Sequence, residues 1–595
     1  MIKTKIICTI GPAVHSLEKI QELIEAGMNV ARLNFSHGTH EEHLKVIQSI
    51  KEAREKLSRP IAIMLDTKGP EIRLGIIKEG YTILTSGQKW HLVNREIEGD
   101  DKQVSIYPLT ILEKLYCGTH VLFDDGYISS TVVEKTDQGV IVQIHNGGMI
   151  RSNKGINIPN THLHLPAMTD KDIDDIQFGC LHDIDIIAAS FVRSAEHVLL
   201  IKKLLADQKK QDILVIAKIE NSEGVENFDS IVQAADGIMI ARGDLGVEVP
   251  LSHVPRLQKM MIRKSYLAGK SVVTATQMLE SMIHNPRPTR AETSDVANAI
   301  YDSTSAVMLS GETAIGRYPI EAVHVMRSII KEAEADFNYR AFFDQHAPLV
   351  YHDVPSAVTL ATVKTAYSSH ANAIFAFTEG GGTARLLSRL RPKMPIIALT
   401  GKRKSFHQLA FNWGVIPIYY PDCQTIREGF EKISNIALDN HLVSYGDLVV
   451  VTAGTPFGVS GTTNMMIVES IGDVLVRGHI GYGSRVHGKA MIVLSTEHLE
   501  PYAVKDRLLV IVKCDESYLP LVQEAAGIIL QNHIDDIASE KYAKKMALNF
   551  RKPILLRADA ACQILKEGQL ITLDPEKALV YKGVVLPDLE QQERY

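Results

Sequence analysis

Residues 216–221 read IAKIEN and residues 237–246 read GIMIARGDLG, and these two stretches decide how the chain folds. Each is a short apolar run that ends in charged groups, and Glu220 and Asp244 are 24 positions apart. That separation fits one strand, one helix and one strand. Because side chains alternate along a strand, Lys218 and Glu220 share a face, and the next parallel strand brings Asp244 beside them.

Two carboxylates and a lysine therefore converge at the ends of two strands. Carboxylate oxygens suit Mg²⁺, which takes one or two such ligands and completes its shell with water and substrate phosphate, while an ammonium binds an anion. For either carboxylate alone, a solvated surface position is an equally good interpretation. The set is favoured as a site, because a lysine inside an apolar strand needs an opposite charge.

The composition is that of a large globular protein. At 595 residues the chain exceeds a single core, and a domain size of about 150 residues predicts roughly four domains. The net charge is −6, and no polybasic run favours nucleic acid. The six cysteines lack the close pairs of zinc and redox motifs, and no apolar run is long enough for a signal peptide or a membrane span. We expect reduced thiols, a cytoplasmic location, and neither a membrane nor a nucleic-acid partner.

Strand and helix patterns alternate through the first part of the chain. Strand-like runs occur near residues 5–9, 29–34, 60–66, 184–191, 213–220, 237–241, 271–275 and 305–310, and helical patterns include 16–26 and 39–56. Between Gly69-Pro70 and Leu165-Pro166, short alternating runs and Gly turns predict a small β domain inserted in a loop. Eight β/α units with one insertion predict an α/β protein built on a (β/α)₈ TIM barrel, whose reactive groups lie at the C-terminal ends of the strands.

Polar residues end the predicted barrel strands, as a barrel with one reactive mouth requires. A doubly wound sheet would instead concentrate them at one switch point. The residues are Arg32, Asn34, Asp66, Thr67, Ser190, Lys218, Glu220, Asp244, Thr274, Thr276 and Ser310. For Ser190 and Ser310, helix capping or loop support is an equally good interpretation, because short hydroxyl side chains favour such positions.

Two further α/β regions follow the barrel. In the first, TEGGGT (378–383) precedes a helix whose N-terminal amides could bind phosphate, although a plain tight turn explains the loop equally well. The second has strands near 508–513, 554–557 and 570–573. The predicted domains are the barrel (1–68 and 167–340), an inserted β-barrel lid (69–166), an effector-binding α/β domain (341–477) and an extra C-terminal α/β domain (478–595).

Further motifs occur at predicted strand ends or adjoining turns: CTIGPA (8–13), ARLNFSHG (31–38), LDTKGPEIR (65–73), TATQMLESM (274–282), PRPTRAE (286–292) and MLSGETA (308–314). With the two opening stretches, they resemble the pyruvate kinase family. The resemblance implies phosphoryl transfer from phosphoenolpyruvate to ADP, giving pyruvate and ATP in the last step of glycolysis. It also implies Mg²⁺ (or Mn²⁺) and K⁺ as cofactors, and a homotetramer.

The resemblance assigns a role to each matching residue. Lys218, Thr276 and Arg32 match the family's catalytic residues, and with Gly243 and Asp244 they would bind phosphoenolpyruvate. The family's divalent-metal ligands match Glu220 and Asp244, and its K⁺ ligands match Asn34, Ser36, Asp66 and Thr67. Its nucleotide contacts match Asn34, Phe35, Ser36, His37, Arg73 and Lys154. For His37, a local hydrogen bond is an equally good interpretation. In the family, a glutamate at the position of Glu71 accompanies K⁺ dependence, and we therefore expect this protein to depend on K⁺. Whether Thr276 or a water linked to Ser310 protonates enolpyruvate stays open.

The sequence also departs from the family pattern. Val14-His15 stands where a serine usually follows GPA, and YDSTSAVML (301–309) replaces the usual Asp-Gly-x-Asp lead-in, yet we expect catalysis to survive both. The TEGGGT loop lacks the Ser-Gly character of family effector loops, so a phosphorylated effector is expected without being identified. Residues 478–595 resemble, more weakly, the swivelling phosphohistidine domain of phosphoenolpyruvate-utilising enzymes. Because Ala538-Ser539-Glu540 replaces its Thr-Ser-His, we expect a structural or assembly role.

Two other functions compete with the kinase. One is an aldolase-like (β/α)₈ metal enzyme acting on pyruvate or phosphoenolpyruvate, which would need neither the inserted domain nor Glu71. The other is a catalytically silent sensor of phosphorylated metabolites, which would not need Lys218, Glu220, Asp244 and Thr276 together. The sequence favours the kinase over both.

Overall fold

The computed structural model describes residues 2–161, 163, 165–349, 353–455, 461–497 and 499–585. Strands and helices alternate at its start: β1 Lys5–Thr9, α1 Leu17–Ala26, β2 Val30–Asn34, α2 His40–Lys56 and β3 Ala62–Asp66. Side chains cap both helices, because the Ser16 hydroxyl accepts a hydrogen bond from the Lys19 amide and Thr39 forms a capping box with Glu42. The predicted helices at 16–26 and 39–56 agree with α1 and α2 to within a residue.

Short strands replace the alternation after β3. They are β4 Ile72–Leu74, β5 Tyr81–Leu84, β6 Lys89–Val93, β7 Gln103–Tyr107, β8 His120–Phe123, β9 Ile128–Thr136, β10 Gly139–Ile144, β11 Gly148–Arg151 and β12 Gly155–Asn157. They close a small barrel in the order β10-β6-β7-β4-β12-β8-β9, and β5 pairs with β11. Its core is organised around Trp90, whose ring packs edge-on against Phe123 at 5.4 Å between centroids. The predicted inserted β barrel is confirmed.

The alternation then resumes. Its elements are α3 Asp170–Leu181, β13 Ile186–Ala189, α4 Ala195–Asp207, β14 Leu214–Ile219, α5 Ser222–Glu226, α6 Phe228–Ala234, β15 Gly237–Ala241, α7 Arg242–Glu248, α8 Val254–Leu267, β16 Ser271–Ala275, α9 Arg290–Tyr301, β17 Ala306–Leu309, α10 Gly311–Ala314 and α11 Pro319–Asp336. The strands pair in parallel and close in the order β1-β17-β16-β15-β14-β13-β3-β2. The predicted parallel barrel is confirmed.

Strand alternation divides the apolar side chains of this barrel into two layers. Ile7 packs with Val30 and Met64 in a cluster drawn from the barrel strands, whereas its neighbours Ile6 and Cys8 belong to the larger cluster that includes the surrounding helices. All five side chains are fully buried, and burial of one such side chain contributes about 1.5–3 kcal/mol. The layers hold the strands firmly, so that the residues at their C-terminal ends have fixed positions.

A second set of alternating elements follows the barrel. They are α12 Tyr339–His346, α13 Val354–Ser368, β18 Ala373–Phe377, α14 Gly382–Ser388, β19 Ile396–Thr400, α15 Arg403–Gln408, β20 Val415–Tyr419, α16 Ile426–Asp439, β21 Leu448–Gly454 and β22 Thr463–Ser470. β18, β19 and β20 are parallel, in a sheet of order β20-β19-β18-β21-β22. The predicted α/β sheet after the barrel is confirmed.

The final described elements form a mixed sheet. They are β23 Val474–Arg477, β24 Ile480–Tyr482, β25 Val486–Val493, β26 Arg507–Ile511, α17 Leu519–Glu524, β27 Gly527–Leu530, α18 Ile537–Asn549, β28 Ile554–Leu556, α19 Ala561–Ile564, β29 Leu570–Asp574 and β30 Leu579–Lys582. The sheet order is β23-β30-β29-β25-β26-β27-β28-β24, with β25 to β28 parallel. β23 precedes residue 478, yet it pairs with β30 near the end of the chain.

The chain divides into two compact units. The first comprises Met1–Lys364, Ile374–Gly429 and Thr452–Met466, and the second comprises Thr365–Ala373, Phe430–Val451 and Ile467–Tyr595. Both barrels lie in the first unit. Among the described residues, no helix combines the length and apolar character needed to cross a membrane.

Candidate active site

The Lys218 side chain, at the end of β14, is the centre of a buried charge cluster. Its Nζ lies 3.0 Å from Oδ1 of Asp66, 2.7 Å from Oγ of Ser190 and 3.0 Å from Oε1 of Glu220. The lysine side chain is 10% exposed, and the two carboxylates are 1% and 2% exposed. The lysine predicted to need an opposite charge therefore has two carboxylate partners, Asp66 at the end of β3 and Glu220 directly after β14. It also contacts the hydroxyl of Ser190, which follows β13.

The two carboxylates keep Lys218 protonated. Burial lowers the pKa of the ammonium, but Asp66 and Glu220 more than reverse this, and the pKa is raised above its ordinary value. For Asp66, burial raises the pKa of the carboxyl, but Arg32 and Lys218 outweigh it and hold the pKa below its usual range. Both groups carry full charge at neutral pH.

In contrast to Asp66, the carboxyl groups of Glu220 and Asp244 have raised pKa values. Burial raises the pKa of Glu220 against the pull of Lys218, and repulsion from Asp244 raises it further. Burial likewise raises the pKa of Asp244, which lies in the first turn of α7. Glu220 is held in place because its Oε2 accepts a hydrogen bond of 2.6 Å from the amide of Phe191. Glu220 is buried and Asp244 is partly buried, and two carboxylates whose ionisation is disfavoured form a site that a cation would stabilise.

This donor set fits a hard divalent ion with few protein ligands. Among the residues that the structure describes, no group of three or more His, Cys, Asp and Glu side chains is arranged to hold a metal ion. A centre here would therefore rely on the two carboxylates, with water and substrate oxygens filling its other positions. That is the usual coordination of Mg²⁺ at phosphoryl-transfer sites.

Arg32 extends the cluster across the barrel mouth. Its Nε donates to Oδ2 of Asp66 at 2.6 Å, and one terminal nitrogen donates to the Thr9 hydroxyl at 3.0 Å. Asp66 thus pairs with Arg32 through one oxygen and with Lys218 through the other. The two cations predicted to bind an anion are held on opposite sides of a single carboxylate.

The predicted K⁺ ligands occupy two neighbouring strand ends. Asn34 and Asp66 are direct partners in the pairing of β2 with β3. The Asn34 side-chain oxygen accepts a hydrogen bond from the amide of Ser36 at 3.2 Å, and the carbonyl of Thr67 accepts one from Ser190 at 2.7 Å. Amide, hydroxyl and carbonyl oxygens with one carboxylate suit a large monovalent ion better than Mg²⁺.

Thr276 and Gly243 meet on the other side of the mouth. The Thr276 hydroxyl accepts a hydrogen bond from the amide of Gly243 at 2.8 Å and donates to the carbonyl of Ala275 at 2.6 Å. Thr276 has a φ of 68°, a conformation that is costly for a β-branched residue. A Cβ atom at Gly243 would come no closer than 3.5 Å to a protein atom, so packing around the α-carbon does not require glycine there.

The predicted nucleotide contacts fall into two groups. Phe35 is buried, its ring stacks on His43 with centroids 4.0 Å apart, and the exposed His37 accepts a hydrogen bond at its carbonyl from the His43 ring. Arg73 and Lys154 belong to the inserted barrel. Arg73 pairs with Glu71 at 2.5 Å, and Lys154 pairs with Asp124 at 2.7 Å.

A cleft of about 120 Å³ separates the inserted barrel from the mouth of the main barrel. Its walls include Glu71 and Asp125 from the inserted barrel, and Asp244 and Glu248 from α7. A hydrogen bond of 2.8 Å from the Asn157 side chain to Glu248 links the two walls. The cleft is lined by Asp244, one of the two carboxylates predicted to bind the divalent ion.

Two residues of the cluster have roles that their sequence motifs did not identify. From sequence, helix capping explains Ser190 as well as a site role does, yet its hydroxyl lies between the Lys218 ammonium and the Thr67 carbonyl. Thr9 lies in the motif CTIGPA and bonds to Arg32. The signal that identifies both is their position at the C-terminal end of a barrel strand, shared with the predicted residues.

Comparison with known families gives two matches along the chain. The model of the pyruvate kinase barrel domain matches residues 1–323, and the model of the pyruvate kinase alpha/beta domain matches residues 356–469. The first covers more than half of the chain.

Individual relatives match almost the full length. The pyruvate kinase of Geobacillus stearothermophilus is 43% identical over 584 residues, covering 98% of this chain and 99% of the relative. That of Staphylococcus aureus (strain USA300) is 41% identical over 586 residues, with the same coverage. A crystal structure of a pyruvate kinase from Cryptosporidium parvum is 39% identical, covers 79% of this chain and 96% of its own, and superposes with a TM-score of 0.76.

All of these matches are pyruvate kinases, so they exclude the aldolase-like enzyme and the silent sensor. Membership of this family implies phosphoenolpyruvate and ADP or ATP as substrates, and a divalent metal and K⁺ as cofactors. The buried lysine and carboxylates lie within the matched barrel domain. The chain belongs to the pyruvate kinase family and is a kinase that transfers the phosphoryl group of phosphoenolpyruvate to ADP, giving pyruvate and ATP in glycolysis.

Proposed function

We propose that Lys218, Arg32, Glu220, Asp244 and Thr276 carry out this phosphoryl transfer. The observation behind the proposal is the buried Lys218 ammonium, which lies 3.0 Å from both Asp66 and Glu220. A cation so deeply buried is preorganised for charge that develops on a transferring phosphoryl group and on the departing enolate. Positioning and electrostatics supply most of the catalysis in such reactions.

Glu220 and Asp244 would hold Mg²⁺ or Mn²⁺ at the mouth. The ion would neutralise phosphoryl charge and withdraw electrons from the substrate oxygens. Because burial raises the pKa of both carboxyls, they lose their protons most readily when a cation is bound. If Glu220 binds the ion and gives up its contact with Lys218, the lysine would keep its contacts with Asp66 and Ser190. Its ammonium would then have room for a contact with the substrate.

Arg32 and Lys218 would bind the phosphate of phosphoenolpyruvate between them. Both are fixed by the same carboxylate, Asp66, at 2.6 and 3.0 Å. The phosphorus–oxygen bond to the enol breaks, a β-phosphate oxygen of ADP bonds to phosphorus, and the enolate takes a proton at C3 to give pyruvate. Two cationic donors on a rigid frame would keep the three reacting atoms in line.

Gly243 and Thr276 would bind the substrate carboxylate. The Gly243 amide donates to the Thr276 hydroxyl, and a substrate carboxylate could take over that donor. The free space beside the Gly243 α-carbon would then be filled by substrate rather than by protein. Thr276 lies on this side of the mouth, where the proton reaches C3; the donor is either Thr276 or a water linked to Ser310.

Asn34, Ser36, Asp66 and Thr67 would bind K⁺, and Glu71 accompanies this dependence. The Glu71 carboxylate pairs with Arg73 at 2.5 Å and lies 3.9 Å from the Lys68 ammonium. Position 71 itself therefore carries a carboxylate and supplies no fixed cation, and an ion from solution would take the place that a lysine side chain there would fill. We therefore infer that the enzyme requires K⁺.

The nucleotide would bind between the segment at residues 34–37 and the inserted barrel, which closes as a lid. Arg73 and Lys154 would contact phosphates from the lid, while Asn34, Phe35, Ser36 and His37 would contact the nucleotide from the main barrel. Phe35 contributes through its main chain, because its ring is buried. Closure is supported by the Asn157 to Glu248 hydrogen bond, and it would exclude water from the transfer.

A phosphorylated effector would bind beside the second parallel sheet. A cavity of about 150 Å³ there is lined by residues that include Thr378, Thr383, Thr400 and Thr463. Hydroxyl groups and loop amides are suitable donors for a phosphate. A sugar phosphate or a nucleotide would each supply the phosphate that these donors and the TEGGGT loop suit.

We assign residues 478–595 as an extra C-terminal domain with a structural or assembly role. The other proposed domains are the barrel (1–68 and 167–340), the inserted barrel (69–166) and the effector-binding domain (341–477). The likeness of the C-terminal domain to a swivelling domain rests on sequence. In the position of a phosphohistidine, Glu540 pairs with Arg557 at 2.8 Å, and a glutamate cannot form the phosphohistidine. A homotetramer and a cytoplasmic location are supported by membership of a glycolytic family.

The test is pyruvate formation from phosphoenolpyruvate and ADP with Mg²⁺, with either K⁺ or tetramethylammonium as the monovalent ion. We expect pyruvate formation to depend on ADP, to stop when a chelator removes the divalent ion, and to fall sharply without K⁺. Full activity in tetramethylammonium would refute the K⁺ site, and full activity after chelation would refute the metal role of Glu220 and Asp244.

A further inference from the structure

The first turns of α3 contact both loops that carry the proposed K⁺ ligands. The loop after β2, defined as residues 34–38 from the last strand residue onward, contains Asn34 and Ser36. The loop after β3, defined in the same way as residues 66–69, contains Asp66 and Thr67. α3 supplies none of these ligands. Its side chains instead hold the backbone of each loop from behind.

Asp172 fastens the loop after β3. One of its carboxylate oxygens accepts a hydrogen bond from the amide of Gly69 at 2.9 Å, and the other accepts two from Thr169, at 2.8 and 2.7 Å. The side chain is buried, so these contacts are shielded from water. Gly69 has a φ of 73°, and a Cβ there would lie 2.9 Å from the Cβ of Ser190. The loop therefore packs directly against the residue that contacts Lys218.

Lys171 and Asp175 fasten the loop after β2. The Lys171 ammonium donates to the carbonyl of Phe35 at 2.9 Å and to Asp175 at 2.6 Å. The other oxygen of Asp175 lies 2.8 Å from the ring Nε2 of His40, the first residue of α2. Phe35 stands between the two proposed ligands Asn34 and Ser36. The Phe35 carbonyl is therefore held by a chain of contacts that runs through Lys171 and Asp175 to His40.

One face of α3 makes all these contacts. Asp172, Asp175 and Phe178 are spaced three residues apart, which places them on the same side of a helix. The ring of Phe178 stacks on His40 at 4.3 Å and approaches Phe35 at 5.9 Å between centroids. Two buried carboxylates and one aromatic ring thus join two loops that are far apart in sequence.

We propose that this face of α3 positions the two loops so that their oxygens form the K⁺ site, with Lys171 and Asp172 as positioning residues. The inference rests on the proposed K⁺ site. A shell made mainly of neutral oxygens binds a monovalent ion weakly, and its affinity depends on how well the oxygens are held before the ion arrives. Lys171 and Asp172 affect the ion through the Phe35 carbonyl and the Gly69 amide, and they touch neither the ion nor the substrates.

The test compares Lys171→Met, which removes the donor to Phe35, with Lys171→Arg, which keeps a donor of similar reach. Lys202→Met is the matched control, because Lys202 also forms an ion pair on the barrel surface, at 2.9 Å from Asp236. Two quantities are measured at constant ionic strength, with tetramethylammonium replacing K⁺. They are the K⁺ concentration that gives half-maximal activity and the K⁺ concentration that gives half of the rise in Tm.

We expect Lys171→Met to raise both K⁺ concentrations about three- to tenfold, the factor that corresponds to loss of one hydrogen bond. Lys171→Arg should recover most of this change, and Lys202→Met should show none. Because Lys171→Met also removes a partner of the buried Asp175, its Tm in tetramethylammonium should fall, and the K⁺ midpoints rather than that Tm test the positioning role. Wild-type K⁺ midpoints in Lys171→Met would overturn the positioning role while leaving the K⁺ site intact. If the wild-type protein shows no response to K⁺ in either measurement, the K⁺ site itself fails, and the role of α3 fails with it.

Discussion

The barrel mouth and the cavity beside the second sheet both lie near the ends of parallel strands, yet they differ in how they are built. In the mouth, Lys218, Asp66 and Glu220 are at most 10% exposed and are joined by ion pairs of 3.0 Å. In the cavity, hydroxyl groups predominate, and Thr383 and Thr463 share a hydrogen bond of 2.6 Å.

The difference concerns what each site can lose. A buried charge is stable only with its partners, so removing one member of the mouth leaves the others uncompensated. A hydroxyl pocket loses one neutral hydrogen bond, which is a smaller change. We therefore expect substitutions to have much larger effects in the mouth than in the cavity.

The largest effect should come from Lys218→Met. Removing the preorganised cation should lower kcat by about 10² to 10³ or more, the loss typical of a missing electrostatic donor. Steady-state assays of pyruvate formation measure it, with Lys202→Met as the control for loss of an ordinary ion pair. A kcat close to that of the wild type would remove Lys218 from the mechanism.

Glu220→Gln should come next, through the metal rather than through charge on the substrate. The amide can still accept the Phe191 hydrogen bond but is a poor Mg²⁺ ligand. The Mg²⁺ concentration for half-maximal activity should rise by at least the ten- to hundredfold seen when partners of metal ligands are lost. An unchanged Mg²⁺ requirement would show that the ion is held elsewhere.

The pH dependence of Mg²⁺ binding should show a smaller but directional effect. Burial raises the pKa of Glu220 above its ordinary 4.5, so the metal-free protein retains a proton into a range where a free glutamate has lost it. Mg²⁺ must displace that proton, and its affinity should rise about tenfold per pH unit below the raised pKa and level off above it. Calorimetric titration at several pH values tests this, and an affinity independent of pH from 4.5 upward would contradict it.

The smallest effect on basal activity should come from Thr383→Val in the cavity. The substitution removes the hydrogen bond to Thr463 without altering charge. Basal kcat should stay within about twofold of the wild type, since one neutral hydrogen bond is lost away from the mouth. Any Tm increase caused by a sugar phosphate or a nucleoside monophosphate should be reduced. A loss of basal activity as large as that of Lys218→Met would end the distinction between the two regions.

The sequence was sufficient to predict the barrel and the identity of most charged residues in its mouth. Strand alternation puts Lys218 and Glu220 on one face, and parallel strands bring their ends to one edge, so both facts follow from local pattern. The α/β sheet after the barrel was predictable for the same reason, since its strands are apolar runs separated by helices.

Contacts that depend on strand register and loop conformation were beyond the sequence. The approach of Ser190 to Lys218 depends on the pairing of Ala189 with Ala217 in β13 and β14, which no local pattern encodes. The positive φ of Thr276 is likewise imposed by its surroundings. The contacts of α3 with the two loops could not be predicted either, because its residues lie on a helix and not at the end of a barrel strand.

Binding of Mn²⁺, followed by the electron paramagnetic resonance signal of the free ion, most directly tests whether the buried cluster is a metal-dependent phosphoryl-transfer site. Wild-type protein, Lys218→Met and Glu220→Gln should be compared at one pH. We predict that Lys218→Met binds Mn²⁺ at least as tightly as the wild type, because the ammonium 3.0 Å from Glu220 no longer competes, although its turnover is slow. Glu220→Gln should bind Mn²⁺ at least about tenfold more weakly. Equal Mn²⁺ affinity in Glu220→Gln and the wild type would contradict the account.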